Sequence, residues 1–481
     1  MTASLNYIPE DISRVHLMGI GGTGMAAMAG LLKKKGFLVT GSDHQVYPPM
    51  SHFLAAEGIE VMEGYQPDNL LPPPDLAIVG NVIRRDNPEA MALQDMAVPY
   101  VSFPQALGHF FLRGRTPVVI SGTHGKTTTA SLLVTVMHGL GLDPGFLIGG
   151  IVRAFGSNFL IGEGNYFVVE GDEYDTAFFD KGPKFLHYRP EIGVITSIEY
   201  DHADIYSSLE EIKNAFRRFI GLIPPHGCLV ACLDDPVVRE LAAAADCRVL
   251  GYGTDSGLDW SLRDVRVSGE GTYFRVLRGN TFYGDLFIKM IGRHNALNCL
   301  ATVAVLDRLG VSAGVIEEQL PLFEGVRRRQ EVRGEVDGIT VIDDFAHHPT
   351  AVRETLDSLS LAYKGRQLVA VFEPRTNSSR RAVFQEDYVR VFAKAAEVVI
   401  KEPDPLNLGP GEQLFSAQKL VDDLNKQGIR ARCFADTEDI VGYLYTSLKA
   451  GDVVAVLSNG GFDNIHERLL TVLQDRQGEQ K

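Results

Sequence analysis

Residues 122–129 read Gly-Thr-His-Gly-Lys-Thr-Thr-Thr and connect a short apolar run to a helical pattern. Backbone amides in such a turn can surround phosphate oxygens, and a lysine at the start of the helix can reach a β- or γ-phosphate. The hydroxyl of Thr127 is of the kind that binds Mg²⁺ beside a phosphate. A full P-loop has glycine at the position of Ile120, so this segment is a shortened phosphate loop. It predicts a phosphate-binding site.

Two groups of acidic residues follow later strand-like runs. Residues 170–175 (EGDEYD) end the run YFVVEGD, and residues 199–202 (EYDH) follow the run IGVITSI. Parallel strands place their carboxyl ends at the sheet edge where α/β proteins bind ligands, and carboxylate oxygens suit Mg²⁺. The pattern therefore indicates a metal site, in which a role for His202 depends on the neighbouring carboxylates and the phosphate loop.

A second glycine-rich pattern lies near the N-terminus. Residues 19–24 read Gly-Ile-Gly-Gly-Thr-Gly between a strand pattern and a helical pattern, and Asp43 ends the next strand about 20 residues later. Glycines allow close approach of a pyrophosphate, the helix N-terminus attracts its charge, and the acidic residue can bind a ribose. We expect a nucleotide diphosphate here; NAD and a nucleotide sugar would both satisfy these groups.

Three consecutive arginines, Arg327 to Arg329, precede the strand end at 343–349, which reads DDFAHHP. A basic run of this kind is usually a solvated surface. Because carboxylates and histidines follow it at a strand end, we interpret it as the far wall of a nucleotide cleft.

The elements that must position these residues alternate between strand and helix patterns. Such alternation predicts parallel βαβ units, whereas the short alternating runs within 248–291 predict an antiparallel insertion. The strand-like runs are 15–20, 37–43, 75–80, 117–121, 166–172 and 192–198, followed by ITVIDDFA, QLVAVFEP, AEVVIKEP and DVVAVLSNGG.

Composition excludes several classes of protein. The 481 residues carry a net charge of −15, which disfavours binding to nucleic acid phosphates or anionic membranes. The five cysteines are scattered without a CxxC pair, so neither a disulfide framework nor a zinc cluster is expected, and a cytoplasmic location fits best. We find no leader pattern and no run of about 18 apolar residues, so no membrane association is expected.

The segments GTHGKTTT, EGDEYD, EYDHAD, GRHNALN, RRR and DDFAHHPT, in this order and spacing, resemble the Mur ligase family over essentially the whole chain. That family uses ATP and Mg²⁺ to join an amine to a carboxylate of a UDP-muramoyl precursor through an acyl-phosphate. The resemblance implies an α/β fold of three domains. These are a Rossmann-like domain (1–113) for the UDP-sugar, a central P-loop ATPase domain (114–325) with a parallel sheet and a small antiparallel part, and a Rossmann-like domain (326–481) for the acceptor.

The resemblance also assigns roles to residues. Lys126, Glu170 and His202 are expected to be catalytic, and Thr127, Glu170 and His202 are expected to bind the metal. The residues expected to bind ATP are Gly122, Thr123, His124, Gly125, Lys126, Thr127, Thr128, His294, Asn295, Arg329 and Asp344. Those expected to bind the UDP-sugar are Gly19, Gly21, Gly22, Thr23, Gly24 and Asp43.

The branch of the family that uses UDP-N-acetylmuramate has two members, which differ in the acceptor that they add. One adds L-alanine, and the other adds the recycled tripeptide L-alanyl-γ-D-glutamyl-meso-diaminopimelate. The stretches 175–190, 373–378 and 458–466 resemble the recycling enzyme, so we favour the tripeptide. Arg375 and Asn377, after the run QLVAVFEP, are the expected acceptor residues; Arg375 would pair with a peptide carboxylate.

The base that deprotonates the amine remains open among His202, His347 and His348. Several relatives carry a carbamylated lysine after the DH motif, but here the helix reads KNAFRRF and Lys213 lies too early, so we predict no carbamylation. We expect a monomer acting on small molecules, with the oligomeric state open. A nicotinamide dehydrogenase and a nucleotide-regulated binding protein are the alternatives from other classes; the first leaves the phosphate loop unexplained.

Overall fold

The computed structural model describes residues 5–47, 50–406 and 412–479. Within them the chain divides into two compact units. The first comprises Met1–Ile198, Glu210–Tyr252 and Ala304–Gly310. The second comprises Glu199–Leu209, Gly253–Val303 and Val311–Lys481.

The N-terminal part of the first unit is a parallel five-stranded sheet in the order β3-β2-β1-β4-β5. Its central strands are buried, as expected where helices cover both faces of a parallel sheet. The strands are β1 (Arg14–Met18), β2 (Leu38–Asp43), β3 (Glu60–Glu63), β4 (Leu76–Val79) and β5 (Tyr100–Ser102), and the helices are α1 (Thr23–Lys34), α2 (Met50–Ala56), α3 (Pro88–Asp95) and α4 (Phe103–Leu107).

The rest of the first unit contains a larger sheet with strands in the order β14-β13-β12-β6-β9-β7-β8. Its pairings are parallel except for β7 with β8, and β10 and β11 form a separate antiparallel pair. The strands are β6 (Thr116–Ser121), β7 (Gly145–Val152), β8 (Ser157–Leu160), β9 (Tyr166–Gly171), β10 (Asp175–Ala177), β11 (Asp180–Pro183), β12 (Ile192–Ile195), β13 (Cys228–Cys232) and β14 (Arg248–Gly253). The helices of this region are α5 (Lys126–Gly139), α6 (Leu209–Ile220) and α7 (Pro236–Ala242).

From Gly253 onward the second unit contains three antiparallel strands, β15 (Trp260–Ser268), β16 (Gly271–Arg278) and β17 (Thr281–Ile288). Helix α8 (Arg293–Arg308) follows, its last residues from Ala304 being counted with the first unit, and then helix α9 (Ala313–Gln319). These strands confirm the antiparallel insertion that was predicted within 248–291.

The remaining sheet of the second unit has the strand order β18-β19-β23-β20-β21-β22, parallel except for β18 with β19. Apolar clusters pack against it, with Phe372 and Val456 fully buried. The strands are β18 (Glu331–Val336), β19 (Ile339–Asp344), β20 (Leu368–Phe372), β21 (Glu397–Lys401), β22 (Arg430–Phe434) and β23 (Val453–Leu457). The helices are α10 (Pro349–Ala362), α11 (Gln385–Val391), α12 (Ala417–Lys426), α13 (Thr437–Ser447) and α14 (Ile465–Glu479).

This architecture confirms the predicted α/β class with parallel sheets. All five cysteines are free thiols. No helix among the described residues has both the length and the apolar character needed to cross a bilayer.

Candidate functional site

The phosphate loop connects the end of β6 to the first residue of α5. Gly122 and Gly125 have φ of 131° and 81°, backbone conformations that favour glycine. A Cβ on Gly122 would overlap the Thr196 hydroxyl, so no larger residue fits there. The loop is fixed from the outside because the amides of Thr123 and His124 donate to the carbonyl and hydroxyl of Ser197. The loop is therefore preformed around the N-terminus of α5.

Lys126, the first residue of α5, is held by an acidic partner. Its Nζ lies 3.1 Å from Oε2 of Glu173, a residue that is only 2% exposed, and it also donates to the carbonyl of Gly122. Burial lowers the pKa of Lys126, but the carboxylates of Glu173, Asp172 and Glu170 outweigh burial and raise it. Lys126 is therefore a cation at neutral pH.

Glu170, near the end of β9, lies beside the first turn of α5. Its Oε2 accepts from the Thr127 hydroxyl at 3.2 Å, and its Oε1 accepts from the amide of Gly149 at 2.7 Å. The structure thus brings together two of the three residues predicted to bind the metal. A carboxylate and a hydroxyl this close are a donor set that fits Mg²⁺. The third, His202, belongs to the second unit, and its metal role stays a prediction.

The N-terminal glycine pattern forms a tight turn between β1 and α1. The amides of Gly19 and Ile20 donate to the Ser42 carbonyl, and the amide of Gly21 donates to Asp43 Oδ2 at 2.8 Å. A Cβ on Gly21 would lie 2.9 Å from that carboxylate oxygen, so glycine is needed there. Gly22, Thr23 and Gly24 then begin α1.

Asp43 braces this turn, with Tyr65 donating to its other oxygen at 3.3 Å. Burial, with the charges of Asp43 and Glu89 adding to it, raises the pKa of Tyr65, so the phenol stays a hydrogen-bond donor. The predicted contact of Asp43 with a ribose remains a prediction, and the bracing role is one that the glycine pattern did not indicate.

In the second unit, His294 and Asn295 begin α8. His294 Nδ1 lies 3.8 Å from Glu354 Oε2 and 3.4 Å from the Ser358 hydroxyl. Asn295 is buried, and its amide donates to the carbonyl of Ile291 and to the side chain of Gln330. The protein itself therefore uses the Asn295 amide, and its predicted contact with ATP remains a prediction.

Arg329 lies just before β18, and Asp344 is the last residue of β19. The guanidinium of Arg329 stacks 4.6 Å from the centre of the Phe345 ring. Asp344 is buried, and its carboxylate accepts from the amides of Gln330 and Ala346, each at 2.8 Å. Burial raises the pKa of Asp344, although Arg329 and the two amides oppose this. Its predicted role toward ATP remains a prediction.

The three histidines proposed as bases share an acidic neighbour, Asp201, in the second unit. Burial raises the pKa of Asp201, but His202, His347 and His348 outweigh burial and hold it well below its usual range. His348 caps α10 by accepting from the amide of Thr350, and its Nε2 lies 3.2 Å from the Tyr200 carbonyl. The structure therefore puts all three histidines within electrostatic reach of one buried anion, and it does not select one of them as the base.

The two predicted acceptor residues follow β20. Arg375 is half exposed, with its guanidinium 3.8 Å from Glu373 Oε1. The amide of Asn377 donates to Asp204 Oδ2 at 2.9 Å, and its oxygen accepts from Arg380. Arg375 is thus available to a ligand, whereas Asn377 is engaged by neighbouring side chains.

Three residues at these sites escaped the sequence analysis. Glu173 was recognised only as part of an acidic cluster, although its spacing after Glu170 was a usable signal. Gln330 connects the turn before α8 to Asp344, and its position directly after the three arginines was the only signal. Ser42 contacts the N-terminal glycine turn through its carbonyl, and a backbone contact leaves no signature in residue type.

The chain resembles known proteins over most of its length. Models of the Mur ligase family match in three segments, the catalytic domain over residues 14–115, the middle domain over 120–306 and the glutamate ligase domain over 328–460. An Escherichia coli protein named UDP-N-acetylmuramate--L-alanyl-gamma-D-glutamyl-meso-2,6-diaminoheptandioate ligase is 36% identical, over 95% of this chain and 97% of that protein. A Carboxydothermus hydrogenoformans protein named UDP-N-acetylmuramate--L-alanine ligase is 35% identical, over 95% and 96%.

Solved structures agree. A murein peptide ligase from Psychrobacter arcticus aligns with a TM-score of 0.73 and 32% identity, over 96% of this chain and 99% of that one. A UDP-N-acetylmuramate-alanine ligase from Thermotoga maritima aligns with a TM-score of 0.80 at 24% identity, over 98% and 100%, and shares the fold. With matches of this extent in sequence and structure, the chain belongs to the Mur ligase family.

Proposed function

We propose that this protein uses ATP to join the lactyl carboxylate of UDP-N-acetylmuramate to the amino group of L-alanyl-γ-D-glutamyl-meso-diaminopimelate, returning a recycled peptide to peptidoglycan synthesis. Family membership supports an ATP-dependent ligase that forms a C–N bond. Two relatives that are 36% identical bear the name of the tripeptide ligase, which supports this acceptor. The observation that carries the proposal is the phosphate loop with Lys126 beside Glu173 and Thr127 beside Glu170.

The chemistry that the loop must support begins with an unreactive carboxylate. Its oxygen attacks the γ-phosphorus of ATP, ADP leaves, and the resulting acyl-phosphate has a good leaving group. The attacking carboxylate and the phosphate repel each other, so cationic groups aimed at the transferred phosphate lower the barrier. In this proposal Lys126 supplies such a charge from the start of α5, while backbone amides at the N-terminus of α5 hold the phosphate oxygens.

Thr127 and Glu170 are the residues of the first unit that would hold Mg²⁺, and His202 is proposed as a further ligand. When bound, the ion would neutralise charge on the phosphates. In the same proposal Gly19 to Gly24 hold the diphosphate of the UDP-sugar, with Asp43 bracing their turn. The ATP roles of His294, Asn295, Arg329 and Asp344, and the three-domain division at 113/114 and 325/326, also belong to this proposal.

The second step needs a neutral amine. The amine nitrogen attacks the carbonyl carbon of the acyl-phosphate, inorganic phosphate leaves, and one proton passes to a base. His202, His347 or His348 is proposed to take that proton, and all three lie near the anionic Asp201. A cytoplasmic location, a monomeric state and the absence of nucleic acid partners remain predictions.

A second candidate acceptor is L-alanine, because L-alanine ligases from Carboxydothermus hydrogenoformans and Geobacter sulfurreducens are 35% identical to this chain. The test is ADP release with ATP, Mg²⁺ and UDP-N-acetylmuramate, with and without each acceptor, combined with mass analysis of the product. We expect tripeptide-dependent ADP release and a product heavier than UDP-N-acetylmuramate by the tripeptide less one water. ADP release that needs neither acceptor, or no release at all, would overturn the proposal.

A further inference from the structure

A group of charged residues lies at the carboxyl ends of β20, β21 and β23 in the second unit. Glu373 follows β20, Lys401 ends β21, and Ser458 follows β23. Arg375 and Asp463 come from the loops after β20 and β23. This edge of a parallel sheet is where α/β folds bind ligands.

Glu373 is the most buried charged residue of this group. Its side chain is 5% exposed and accepts from the Ser458 hydroxyl. Lys401 Nζ lies 3.4 Å from the other carboxylate oxygen, and the guanidinium of Arg375 lies 3.8 Å from that same oxygen. The largely buried Lys401 already neutralises the charge of Glu373. The charge of Arg375 is therefore not needed to balance Glu373 and can serve a ligand.

Asp463 lies in a turn with an unusual, left-handed backbone conformation. Phe462, Asp463 and Asn464 are three consecutive non-glycine residues with φ of 45°, 47° and 55°. L-residues rarely adopt this region in succession. The Phe462 side chain is fully buried and fixes the turn, while the side chain of Asp463 is 58% exposed. The turn therefore directs a carboxylate toward solvent at the cost of a disfavoured backbone.

The Asp463 carboxylate has one engaged and one available oxygen. Oδ2 accepts from the Thr437 hydroxyl at 2.6 Å and lies 3.5 Å from Lys401 Nζ. Within the described ranges, Oδ1 has no hydrogen-bond partner. The Thr437 hydrogen bond lowers the pKa of Asp463, and Lys401 and Arg375 lower it further, so the group is an anion at neutral pH.

Arg375 is the opposing charge. Its side chain is 50% exposed and lies over Gly460, where a Cβ would overlap its guanidinium. It makes no hydrogen bond to any residue that the structure describes. One cation and one anion, both half exposed, therefore flank the buried Lys401–Glu373 pair.

We propose that Asp463, Arg375 and Lys401 form a specificity subsite for a zwitterionic α-amino acid head group, with Asp463 binding its ammonium and the two cations binding its carboxylate. The inference rests on the proposed function, in which the distal end of diaminopimelate carries this head group. It adds Asp463 and Lys401 as determinants of acceptor choice.

The test uses three tripeptides that differ only at the distal end of the third residue: diaminopimelate (ammonium and carboxylate), L-lysine (ammonium only) and 2-aminopimelate (carboxylate only). A charge-assisted hydrogen bond supports about a tenfold effect or more. We expect Asp463→Asn to raise KM about tenfold for the two peptides with an ammonium, and to change KM for the aminopimelate peptide much less. Arg375→Ala should instead penalise the two peptides with the carboxylate.

Two further variants separate binding from folding. Asp463→Gly relieves the left-handed backbone, so its Tm should equal or exceed that of the wild type while KM for the diaminopimelate peptide rises. Asp423→Asn, a change of the same charge on α12, should leave all three KM values unchanged. Equal penalties from Asp463→Asn on all three peptides would overturn the subsite alone. A wild-type enzyme that ligates none of them would overturn the proposed function and the subsite with it.

Discussion

The ammonium of Lys126 lies 3.1 Å from the carboxylate of Glu173, a nearly inaccessible residue, so the lysine of the phosphate loop has a buried counter-ion from the segment after β9. The pair stabilises a charged lysine where burial alone would favour the neutral amine. An incoming triphosphate must compete with Glu173 for this cation. Glu173 therefore influences ATP affinity in addition to the geometry of the loop.

Glu173→Gln should tighten metal-free ATP binding by roughly three- to tenfold, because it removes both the competing carboxylate and its repulsion of the triphosphate. Calorimetry in the presence of a chelator measures this directly. Asp172→Asn is the matched control, since Asp172 pairs with Lys184 at 2.6 Å, and it should change the affinity less. Weaker ATP binding by Glu173→Gln would show that the carboxylate supports the loop and does not compete with phosphate.

Lys126→Ala should remove most turnover while leaving the affinity for UDP-N-acetylmuramate nearly intact. A cation aimed at a transferred phosphate commonly contributes a few kcal/mol, or roughly two to three orders of magnitude in rate. Steady-state ADP release and calorimetry with the UDP-sugar give the two readouts. Ligation near the wild-type rate would disprove the assignment of the ATP site to this loop.

Asp43→Ala should weaken binding of the UDP-sugar, because the amide of Gly21 loses its acceptor and the turn before α1 relaxes. Asp43→Asn keeps an acceptor oxygen and should retain more of the affinity. ATP affinity should not change in either variant. Unchanged UDP-sugar affinity in Asp43→Ala would show that neither Asp43 nor its hydrogen bond to Gly21 contributes to binding of the UDP-sugar.

The candidate sites could be predicted from the sequence where local chemistry restricts residue type. The phosphate loop needs glycines at positive φ, as at Gly122 and Gly125, and those glycines made the loop recognisable. The strands β20 and β23 are buried on both faces, appear as continuous apolar runs and were predicted, whereas the equally buried β13 was not. The edge strands β3 and β22 are short and rich in charge, so they carry no such run and were missed.

Contacts between distant segments could not be predicted in this way. The pairing of Lys126 with Glu173 depends on β6 and β9 lying next to each other, which only the sheet order shows. The left-handed turn at Asp463 has no glycine at its centre, so residue type gave little warning of it. Asn295 was assigned to ATP from the resemblance of the segment GRHNALN to the family. Its hydrogen bond to Gln330 could not be predicted, because the two residues are far apart in the sequence.

Arg375→Ala should raise KM for the tripeptide by roughly one to two orders of magnitude, as expected for loss of a charge-assisted contact. KM values for ATP and UDP-N-acetylmuramate should stay within about twofold. Gly460→Ala is an independent route to the same effect, because its Cβ would displace the Arg375 side chain. If Arg375→Ala leaves KM for the tripeptide unchanged, Arg375 only caps a surface loop.

The most direct test of the acceptor is a competition between L-alanine and L-alanyl-γ-D-glutamyl-meso-diaminopimelate at equal concentration, with limiting UDP-N-acetylmuramate and saturating ATP and Mg²⁺. The ratio of the two products, read by mass spectrometry at early times, equals the ratio of the two kcat/KM values. We predict that the tripeptide product exceeds the alanine product by at least about tenfold, as one charge-assisted contact would provide. A predominance of the alanine product would contradict the account and identify the chain as an alanine-adding ligase.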